Sequence, residues 1–359
     1  IFKKAKIQKM SANESALGVS TKVLKFMKKG NINFSKYPNG KSNDLRRVIS
    51  KKFKCHFDKI ICGAGSDEII QIICQLFLNK NDEVIIPDLT FVATGNAVKY
   101  IGAKVVTVDV EEDTLCISPA AIMKAITPKT KAIIPVHLNG HPANMDQASK
   151  ICKKYKLILI EDAAEALGSF YKKRHLGTFG KLGVLSFNGN KIITTSGGGA
   201  LVSNNLNDID EANFLSTQAK ENKPFYEHKK TGYNYKLSNI LASIGVAQLK
   251  VLDDRVNKRR KNYMFYYELL KGIKGVTFLK EPKGYFSNRW LTCLIIDEKK
   301  CGISVNQIIC EFEEDKIETR RLWKPMHMQP IFKNNQFYGN GVSNSLFEKL
   351  FFKILVFNL

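Results

Sequence analysis

Apolar and polar positions follow two alternating patterns along residues 59–205. Short runs of β-branched and aliphatic residues, typical of strands buried on both faces of a sheet, are separated by longer stretches with apolar residues at helical spacing. This order predicts an α/β fold, with a mostly parallel central sheet and helices on both of its faces. The predicted strands cover residues 59–62, 83–86, 104–110, 131–136, 157–160, 184–187 and 200–203, and the predicted helices cover 67–78, 91–101, 119–126 and 145–155.

A second, smaller unit follows this region. Ser238 opens a stretch in which Ile240, Ile244 and Val251 have helical spacing, and a polar run follows at 253–261. We expect this helix to link the large domain to a smaller α/β domain. The predicted parts are an N-terminal arm (1–30), a large cofactor-binding domain (31–250) and an incomplete small domain (251–359), with strands near 277–279 and 290–296.

The net charge bears on which partners the chain can bind. The formal net charge of the 359 residues is +23, but the lysines are scattered along the chain and form no basic arm or stripe. This distribution favours a solvated surface over a nucleic-acid-binding protein. We expect the positive field to attract an anionic substrate, such as a nucleotide diphosphate.

Cysteine usage and hydropathy indicate the compartment. The eight cysteines form no C-x-x-C pair, which favours reduced structural thiols over disulfides or a zinc site. No apolar run approaches the ~20 residues of a membrane-spanning helix, and the first residues lack the apolar core of a signal peptide. We therefore expect a cytoplasmic protein without a membrane partner.

Three stretches at the ends of predicted strands carry candidate chemistry, because ligands of open parallel sheets bind beyond the carboxyl ends of the strands. The first is Gly65-Ser66-Asp67, between a predicted strand and a predicted helix. The N–H groups of a helix N-terminus and a serine hydroxyl can bind a phosphate. The same residues also suit ordinary helix capping, so they indicate a phosphate site only in combination with others.

The second stretch places Asp162 directly after the strand predicted at 157–160. A buried carboxylate is costly unless a cation lies beside it. The protonated ring nitrogen of pyridoxal phosphate (PLP) is such a cation, and an aspartate beside it keeps the ring an electron sink. Capping of the following helix is an equally simple role for Asp162.

The third stretch contains Lys191, which follows the strand predicted at 184–187 and precedes the glycine run 197–199. A lysine that forms a Schiff base with PLP must be partly desolvated or lie beside other cations. A single lysine is usually only a surface residue. The chain order of a phosphate-binding turn, a strand-end aspartate and then Lys191 favours the Schiff-base role.

Longer stretches carry a family resemblance. Residues 87–345 resemble the DegT/StrS-type nucleotide-sugar aminotransferases, which are PLP enzymes of fold type I. The subgroup that aminates UDP-linked 4-keto-6-deoxy-N-acetylhexosamines is the most similar. The stretches that carry this likeness are 87–94, 134–142, 160–168, 186–199, 232–239 and 323–327.

The resemblance implies a role for individual residues. Lys191 would hold the cofactor covalently, Asp162 would pair with its ring nitrogen and Glu165 would lie near its 3-hydroxyl group. The other implied contacts are Phe91 on the ring face, Ser186 at the phosphate, Asn234 at the phosphate of the neighbouring subunit and His327 near the substrate.

Simpler roles stay open for several of these residues. Phe91 also fits plain core packing, and His327 also fits a structural histidine. The pair His137 and His141 lacks a third ligand, so it indicates a turn or packing rather than a metal site.

The N-terminal residues follow a different pattern. Residues 11–86 resemble histidinol-phosphate aminotransferases, in which the tyrosine at the position of Tyr37 reaches a phosphate across the dimer and the turn 65–67 cradles that phosphate. Asn13 and Tyr37 thereby keep an amino-acid-type substrate open. The C-terminal residues also depart from the sugar family after Lys349, which places the last strand and helix of the small domain in question.

These observations predict a PLP-dependent aminotransferase. The expected reaction moves an amino group from L-glutamate to the 4-keto group of a nucleotide-linked 4-keto-6-deoxy sugar, in a homodimer with shared active sites. Two alternatives stay open. One is an amino-acid-class aminotransferase of the histidinol-phosphate type, and the other is a PLP-binding relative with impaired catalysis.

Overall fold

The computed structural model describes residues 18–29, 41–315 and 319–352, with only the backbone at 26, 29 and 350–352. Asn13 and Tyr37 lie outside the described residues. The described α-helices are α1 (Thr21–Lys29), α2 (Asn43–Phe53), α3 (Ser66–Phe77), α4 (Val92–Tyr100), α5 (Pro119–Ala125), α6 (Met145–Tyr155), α7 (Leu206–Leu215), α8 (Asn239–Leu249), α9 (Leu252–Leu270), α10 (Glu298–Cys301), α11 (Val305–Glu314) and α12 (Val342–Lys349).

Nine of the described strands fall close to the apolar runs that predict them, whereas the short strands at 170–171, 174–175, 285–286, 320–321, 336–338 and 350–352 were not predicted. The described strands number fifteen. They are β1 (Ile60–Gly63), β2 (Glu83–Pro87), β3 (Lys104–Val108), β4 (Thr130–Ile133), β5 (Ile158–Asp162), β6 (Phe170–Tyr171), β7 (Arg174–His175), β8 (Leu182–Ser186), β9 (Gly199–Ser203), β10 (Val276–Phe278), β11 (Tyr285–Phe286), β12 (Cys293–Ile296), β13 (Arg320–Arg321), β14 (Gln336–Tyr338) and β15 (Leu350–Phe352).

An eight-stranded sheet forms the centre of the molecule, in the order β1-β9-β8-β5-β4-β2-β3-β14. The strands from β14 to β8 are parallel, whereas β9 runs antiparallel to both β8 and β1. The expectation of a parallel strand at 200–203 is therefore wrong. Residues 187–198 return to the sheet without a helix, and a parallel neighbour of β8 would need a crossover connection.

Successive residues of the central strands face two separate apolar layers. Ile85 packs in one layer, while its neighbours Val84 and Ile86 pack in the other. The same alternation holds for Leu159 and Ile160. Because side chains alternate along a strand, both faces of the sheet are covered, which explains the continuous apolar runs of the sequence. No helix in the described ranges is long and apolar enough to cross a membrane.

A second sheet, in the order β10-β12-β15-β13, belongs to the C-terminal part of the chain. The sequence places the last strand of the small domain in question. In the structure β15 takes this place, because it pairs with β12 and β13. β14 lies outside this sheet and pairs in parallel with β3 of the central sheet. The domain boundary near residue 250 stays a prediction. β14, which follows this boundary in the sequence, nevertheless belongs to the central sheet.

The predicted linking helix consists of two helices. Ser238 caps α8, because its side chain accepts a hydrogen bond from the backbone N–H of Leu241 at 3.3 Å. α8 ends at Leu249, and the polar run 253–261 continues as part of the 19-residue helix α9. Most of α9 is solvated, with only Leu252 and Val256 buried, which accounts for its weak apolar periodicity.

Candidate active site

A cavity of about 480 Å³ lies at the carboxyl ends of the central strands. The N-terminus of α3 and the ends of β5 and β8 form its floor. Residues of the C-terminal part, among them Trp290, Arg320 and Trp323, form the opposite wall. The site therefore has the position that open parallel sheets give to their ligands.

Lys191 extends into this cavity from the loop after β8. Its side chain is 13% exposed, and its Nζ lies 3.6 Å from Glu165 Oε1. The same ammonium group lies 4.6 Å from the ring centroid of Trp290, whose Nε1 donates to the backbone oxygen of Asn190 at 3.0 Å. The amine is thus held between a carboxylate and an aromatic face in a largely desolvated position.

Glu165 is the carboxylate beside that amine. Its Oε2 accepts a hydrogen bond from the backbone N–H of Asn139 at 2.7 Å. Burial raises the pKa of Glu165 above its ordinary value, while the charge of Lys191 and the Asn139 bond oppose the shift. Glu165 is therefore a group that can exchange a proton or a hydrogen bond with whatever approaches Lys191.

Asp162 is the last residue of β5, and 6% of its surface is exposed. Its Oδ2 accepts a hydrogen bond from Thr94 Oγ1 at 2.8 Å, and its Oδ1 accepts one from the backbone N–H of Ala164 at 3.2 Å. These two bonds fix the plane of the carboxylate at the cavity wall. Each oxygen keeps a further acceptor position, so Asp162 can still receive a cationic N–H donor.

The phosphate-binding turn has the geometry that the sequence predicts. Gly65 is the N-cap of α3, and Ser66 begins that helix with its Oγ 3.2 Å from Ser186 Oγ. A Cβ at Gly199 would lie 2.8 Å from the backbone nitrogen of Ser66, so glycine is required where β9 passes the helix start. Two hydroxyls and the N–H groups of the first helical turn therefore meet at one point.

Asp67 also lines the cavity beside this turn. Burial raises its pKa above the ordinary value, and the negative charge of Asp162 adds to the shift. Three carboxyl groups, those of Asp67, Asp162 and Glu165, thus face the same cavity, which favours occupation by a molecule that carries positive charge or N–H donors.

These residues fit the cofactor that the sequence predicts. The cavity presents a desolvated primary amine, a fixed carboxylate and a helix N-terminus with two hydroxyls. The amine suits an aldehyde, the carboxylate suits a protonated ring nitrogen, and the helix N-terminus with its hydroxyls suits a phosphate group. Phe91 lies at the cavity mouth with 51% of its surface exposed, so it is not a core residue.

Three expected residues within the described ranges do not line this cavity: Gly65, which is the N-cap beside Ser66, Asn234 and His327. Asn234 is exposed and bridges to Thr217, so on its own subunit it has no route to the cavity described here. His327 points its Nδ1 at Asp88 Oδ2, 2.7 Å away, and stacks on Phe337 at a centroid distance of 4.3 Å. These contacts fit the structural role left open for His327.

The pair His137 and His141 lies in the polar interior. His137 Nε2 lies 3.1 Å from Glu161 Oε2, and His141 Nε2 lies 2.9 Å from Arg289 Nη1. The described residues contain no group of three or more potential metal ligands. The contacts with Glu161 and Arg289 give both buried histidines a hydrogen-bonding role.

Sequence reasoning missed several lining residues. Trp290 and Trp323 are the two tryptophans of the chain, and both line the cavity. Tryptophan is rare in this chain, and this rarity could have marked both residues as candidates for the site. Thr94 lies within a helix, and only its hydrogen bond to Asp162 indicates its function.

The sequence matches the DegT/DnrJ/EryC1/StrS aminotransferase family over residues 59–351. It is 45% identical to a protein of Bacillus subtilis described as the putative pyridoxal phosphate-dependent aminotransferase EpsN, over 80% of this chain and 75% of the relative. It is 37% identical to a GDP-perosamine synthase of Escherichia coli O157:H7, over 72% of this chain and 70% of the relative.

Solved structures share the fold. The aminotransferase PseC of Helicobacter pylori, described as involved in the biosynthesis of pseudoaminic acid, superposes with a TM-score of 0.83. It is 22% identical and covers 92% of this chain and 89% of its own. This likeness confirms the predicted α/β fold.

Proposed function

This chain belongs to the DegT/DnrJ/EryC1/StrS aminotransferase family, and we propose that it transfers an amino group from L-glutamate to the 4-keto group of a nucleotide-linked 4-keto-6-deoxy sugar. Family membership confirms the resemblance predicted from residues 87–345. It identifies the chain as a PLP-dependent aminotransferase of the sugar-modifying class.

The second predicted resemblance has no support. The family match begins at residue 59, so residues 59–86 lie within the sugar-aminotransferase family rather than with histidinol-phosphate aminotransferases. The family match does not reach Asn13 and Tyr37, so the amino-acid-type substrate that these residues keep open stays a prediction.

The convergence of Lys191, Asp162 and Glu165 in one cavity carries the proposal. PLP, when bound, supplies an aldehyde that condenses with amines and a ring that accepts electrons from the substrate carbon. Lys191 Nζ would hold the cofactor through that aldehyde. Ser66, Ser186 and the N-terminus of α3 would hold its phosphate.

Lys191 also has a second role in the proposed reaction. When L-glutamate occupies the site, Lys191 Nζ would no longer hold the cofactor and could act as a base. Nζ would then take the proton from the substrate Cα, hold it, and donate it again within the same amino transfer. The aromatic face of Trp290 and the Glu165 carboxylate keep this mobile amine within reach of the cavity.

Asp162 would hold a proton on the cofactor's ring nitrogen. Its negative charge favours the protonated ring, and the bond from Thr94 Oγ1 fixes the carboxylate in place. Phe91 would pack against the ring from the cavity mouth.

The nature of the substrate is inferred from charge and from relatives. Arg320 and Arg321 line the cavity, and cations there suit the carboxylate of L-glutamate or the diphosphate of a nucleotide-linked sugar. The GDP-perosamine synthases among the relatives support a nucleotide-linked sugar as acceptor. Asn234 would act on the cofactor phosphate of a second subunit, which makes the proposed enzyme a homodimer.

The test compares the wild type with Lys191→Ala. The wild-type protein should show the visible absorbance of lysine-bound PLP, and L-glutamate should bleach that band. Lys191→Ala should lose both this response and turnover with 4-keto-6-deoxy nucleotide sugars. Lys129→Ala, which removes an exposed lysine far from the cavity, should leave both unchanged. Full turnover by Lys191→Ala would overturn the proposal.

The assay also separates the remaining alternatives. Wild-type enzyme loaded with PLP is offered either a 4-keto-6-deoxy nucleotide sugar or the keto substrate of a histidinol-phosphate aminotransferase. Turnover of the sugar alone supports the proposal, and turnover of the other substrate alone contradicts it. A response to glutamate without turnover of either would identify a catalytically impaired relative.

A further inference from the structure

A second cavity lies at the opposite edge of the central sheet. Its volume is about 440 Å³, which is within the range of small-molecule sites. It is lined by the end of α2, the start of β1, the end of β9 and the β6–β7 hairpin. β1 runs parallel to β8 and β9 runs antiparallel to it, so this is the edge at which β8 begins. The five residues of β8, roughly 16 Å of strand, separate it from the candidate active site.

The charge of this cavity is of one sign. No described lining residue is acidic, and five are basic: Lys52, Lys54, Lys59, Lys173 and Arg174. Cations gathered in a concave surface repel one another and raise the local concentration of anions. The cavity is therefore electrostatically complementary to a multiply charged anion.

Two of these cations already have partners. Lys52 forms an ion pair with Asp253. Arg174 donates to the backbone oxygen of Thr178 and lies 4.4 Å from the ring centroid of Phe179.

The ammonium groups of Lys54, Lys59 and Lys173 form no ion pair or hydrogen bond within the described ranges. These three groups are available to a ligand. Together they match the charge of a phosphate or diphosphate better than that of a single carboxylate.

The backbone has positive φ at two of these lysines. The β6–β7 turn has Lys172 at φ 47° and Lys173 at φ 65°, two positions that favour glycine or asparagine. Lys54, the C-cap of α2, has φ 53°, where glycine is again favoured. Glycine can therefore replace each of these lysines without added backbone strain.

A buried imidazole adds a hydrogen-bonding group to the cavity wall. His175 is 4% exposed and lies between Phe53 and Phe170, at centroid distances of 3.9 and 4.7 Å. Its Nδ1 lies 3.3 Å from the backbone oxygen of Leu176, while its Nε2 has no hydrogen-bond partner. With Nδ1 donating to that oxygen, Nε2 is an acceptor that is buried from solvent and has no partner.

We propose that this cavity is a second ligand site, which binds a small molecule through a phosphate or diphosphate group. Lys54, Lys59 and Lys173 bind the phosphate oxygens. The site lies apart from the cofactor cavity, so the inference does not depend on the reaction assigned there.

Lys172 and Lys173 provide a matched pair of variants. Both are exposed lysines with positive φ in the same turn, but only Lys173 lines the cavity. Lys172 instead pairs with Asp146. Lys172→Gly and Lys173→Gly remove the same charge and relieve the same kind of backbone strain, so neither is expected to lower Tm appreciably.

The experiment titrates PLP-loaded protein, purified without phosphate, with inorganic pyrophosphate in a calorimeter. Lys173→Gly should weaken binding about tenfold, the effect of one charge-assisted contact, and Lys54→Gly should do the same. Lys172→Gly should stay within about twofold of the wild type, because its charge lies outside the cavity. Any pyrophosphate bound in the active site contributes equally to all variants.

Equal affinity of Lys172→Gly and Lys173→Gly, or the absence of saturable binding, would overturn the proposal. Two further titrations, one with glucose 1-phosphate and one with inorganic phosphate, distinguish the two sources of the phosphate group. Tighter binding of glucose 1-phosphate than of inorganic phosphate, lost in Lys173→Gly, supports a phosphorylated metabolite. The reverse order, also lost in Lys173→Gly, supports the free anion as the ligand.

Discussion

The carboxylate of Asp162 depends on one neighbouring hydroxyl for its orientation. Thr94 is fully buried in α4, and its Oγ1 donates to Asp162 Oδ2 at 2.8 Å while lying 3.0 Å from Thr90 Oγ1. Thr94 ends the stretch 87–94 that carries the family resemblance, but the resemblance assigns it no role, because its importance comes from the packing of α4 against the end of β5. A residue of this kind becomes visible only when the strands and helices have been assembled.

Replacing Thr94 with valine tests this role at nearly constant volume. Thr94→Val should lower kcat/KM about tenfold, because the carboxylate loses a hydrogen bond that holds it in place. The far-ultraviolet circular dichroism should not change. Thr107→Val is the matched control, since Thr107 is equally buried and donates to the backbone oxygen of Gln336 at 3.2 Å, far from the cavity. A tenfold loss in both variants would contradict the assigned role.

A second residue-scale prediction concerns pH. Burial lowers the pKa of His175 from 6.5 to about 4. The unfolded chain therefore binds a proton on this residue between pH 6.5 and 4 that the folded protein does not bind. The contribution of His175 to the free energy of unfolding is therefore fully present above pH 6.5 and is lost as the pH falls toward 4. Between pH 7 and pH 5 the loss amounts to about 2 kcal/mol.

Urea unfolding at pH 7 and pH 5 measures this contribution. His175→Gln should reduce the difference in unfolding free energy between the two pH values by about 2 kcal/mol relative to the wild type. His228→Gln, which removes an exposed histidine, should leave the difference as it is. If His175→Gln keeps the wild-type pH dependence of the unfolding free energy, that dependence comes from other groups.

At the scale of elements, Asp109 joins the central sheet to α12. Its Oδ2 accepts hydrogen bonds from the backbone N–H groups of Asn340 and Val342, and its Oδ1 accepts one from Ser343. The carboxylate thus caps a helix that lies more than 230 residues further along the chain. A negative charge at a helix N-terminus is stabilising, and here it also fixes the end of β14 beside β3.

Asp109→Ala should therefore destabilise the protein by about 2–3 kcal/mol, because three backbone N–H groups lose their acceptor. Hydrogen exchange should accelerate mainly in α12 and β14. Asp146→Ala provides the comparison, since Asp146 lies in the first turn of α6 but pairs with the exposed Lys172. That variant should change stability by less than about 0.5 kcal/mol. Equal effects of the two substitutions would rule out the long-range capping role.

The sequence predicted the elements that have continuous apolar patterns. The strands at 83–87 and 158–162 lie within two residues of their predicted positions, because burial on both faces leaves an unbroken apolar run. The helix at 145–155 lies where it was predicted because its buried residues, Met145, Ala148, Ile151 and Cys152, have helical spacing. The hairpin β6–β7 was missed because each strand has only two residues. The direction of β9 was wrong because an apolar run carries no information about strand orientation.

At the scale of the whole molecule, the cavity needs both parts of the chain. Lys191 and Asp162 follow strands of the central sheet, whereas Trp290 and Trp323 come from the C-terminal part. The sequence predicted Lys191 and Asp162, because polar residues that follow buried strands indicate a ligand site at the carboxyl ends of those strands. It did not predict the opposite wall, because that wall depends on how the C-terminal part folds back over the sheet.

The proposed contribution of Asn234 to a second subunit can be tested by mixing two inactive variants. Lys191→Ala and Asn234→Asp should each have little activity alone. In a heterodimer, one of the two sites combines an intact Lys191 with an intact Asn234 from the other subunit. Random mixing after denaturation and refolding should restore about a quarter of the wild-type activity. Activity that stays at the level of the separate variants would contradict the shared site.

The position of β14 has a consequence for synthesis of the protein. The central sheet receives its outermost strand from residues 336–338, although the adjacent strand β3 ends at residue 108. On the ribosome, the edge of β3 stays without its partner until residue 338 has emerged. An unpaired strand edge attracts other chains, so this interval is when the nascent protein most needs a chaperone.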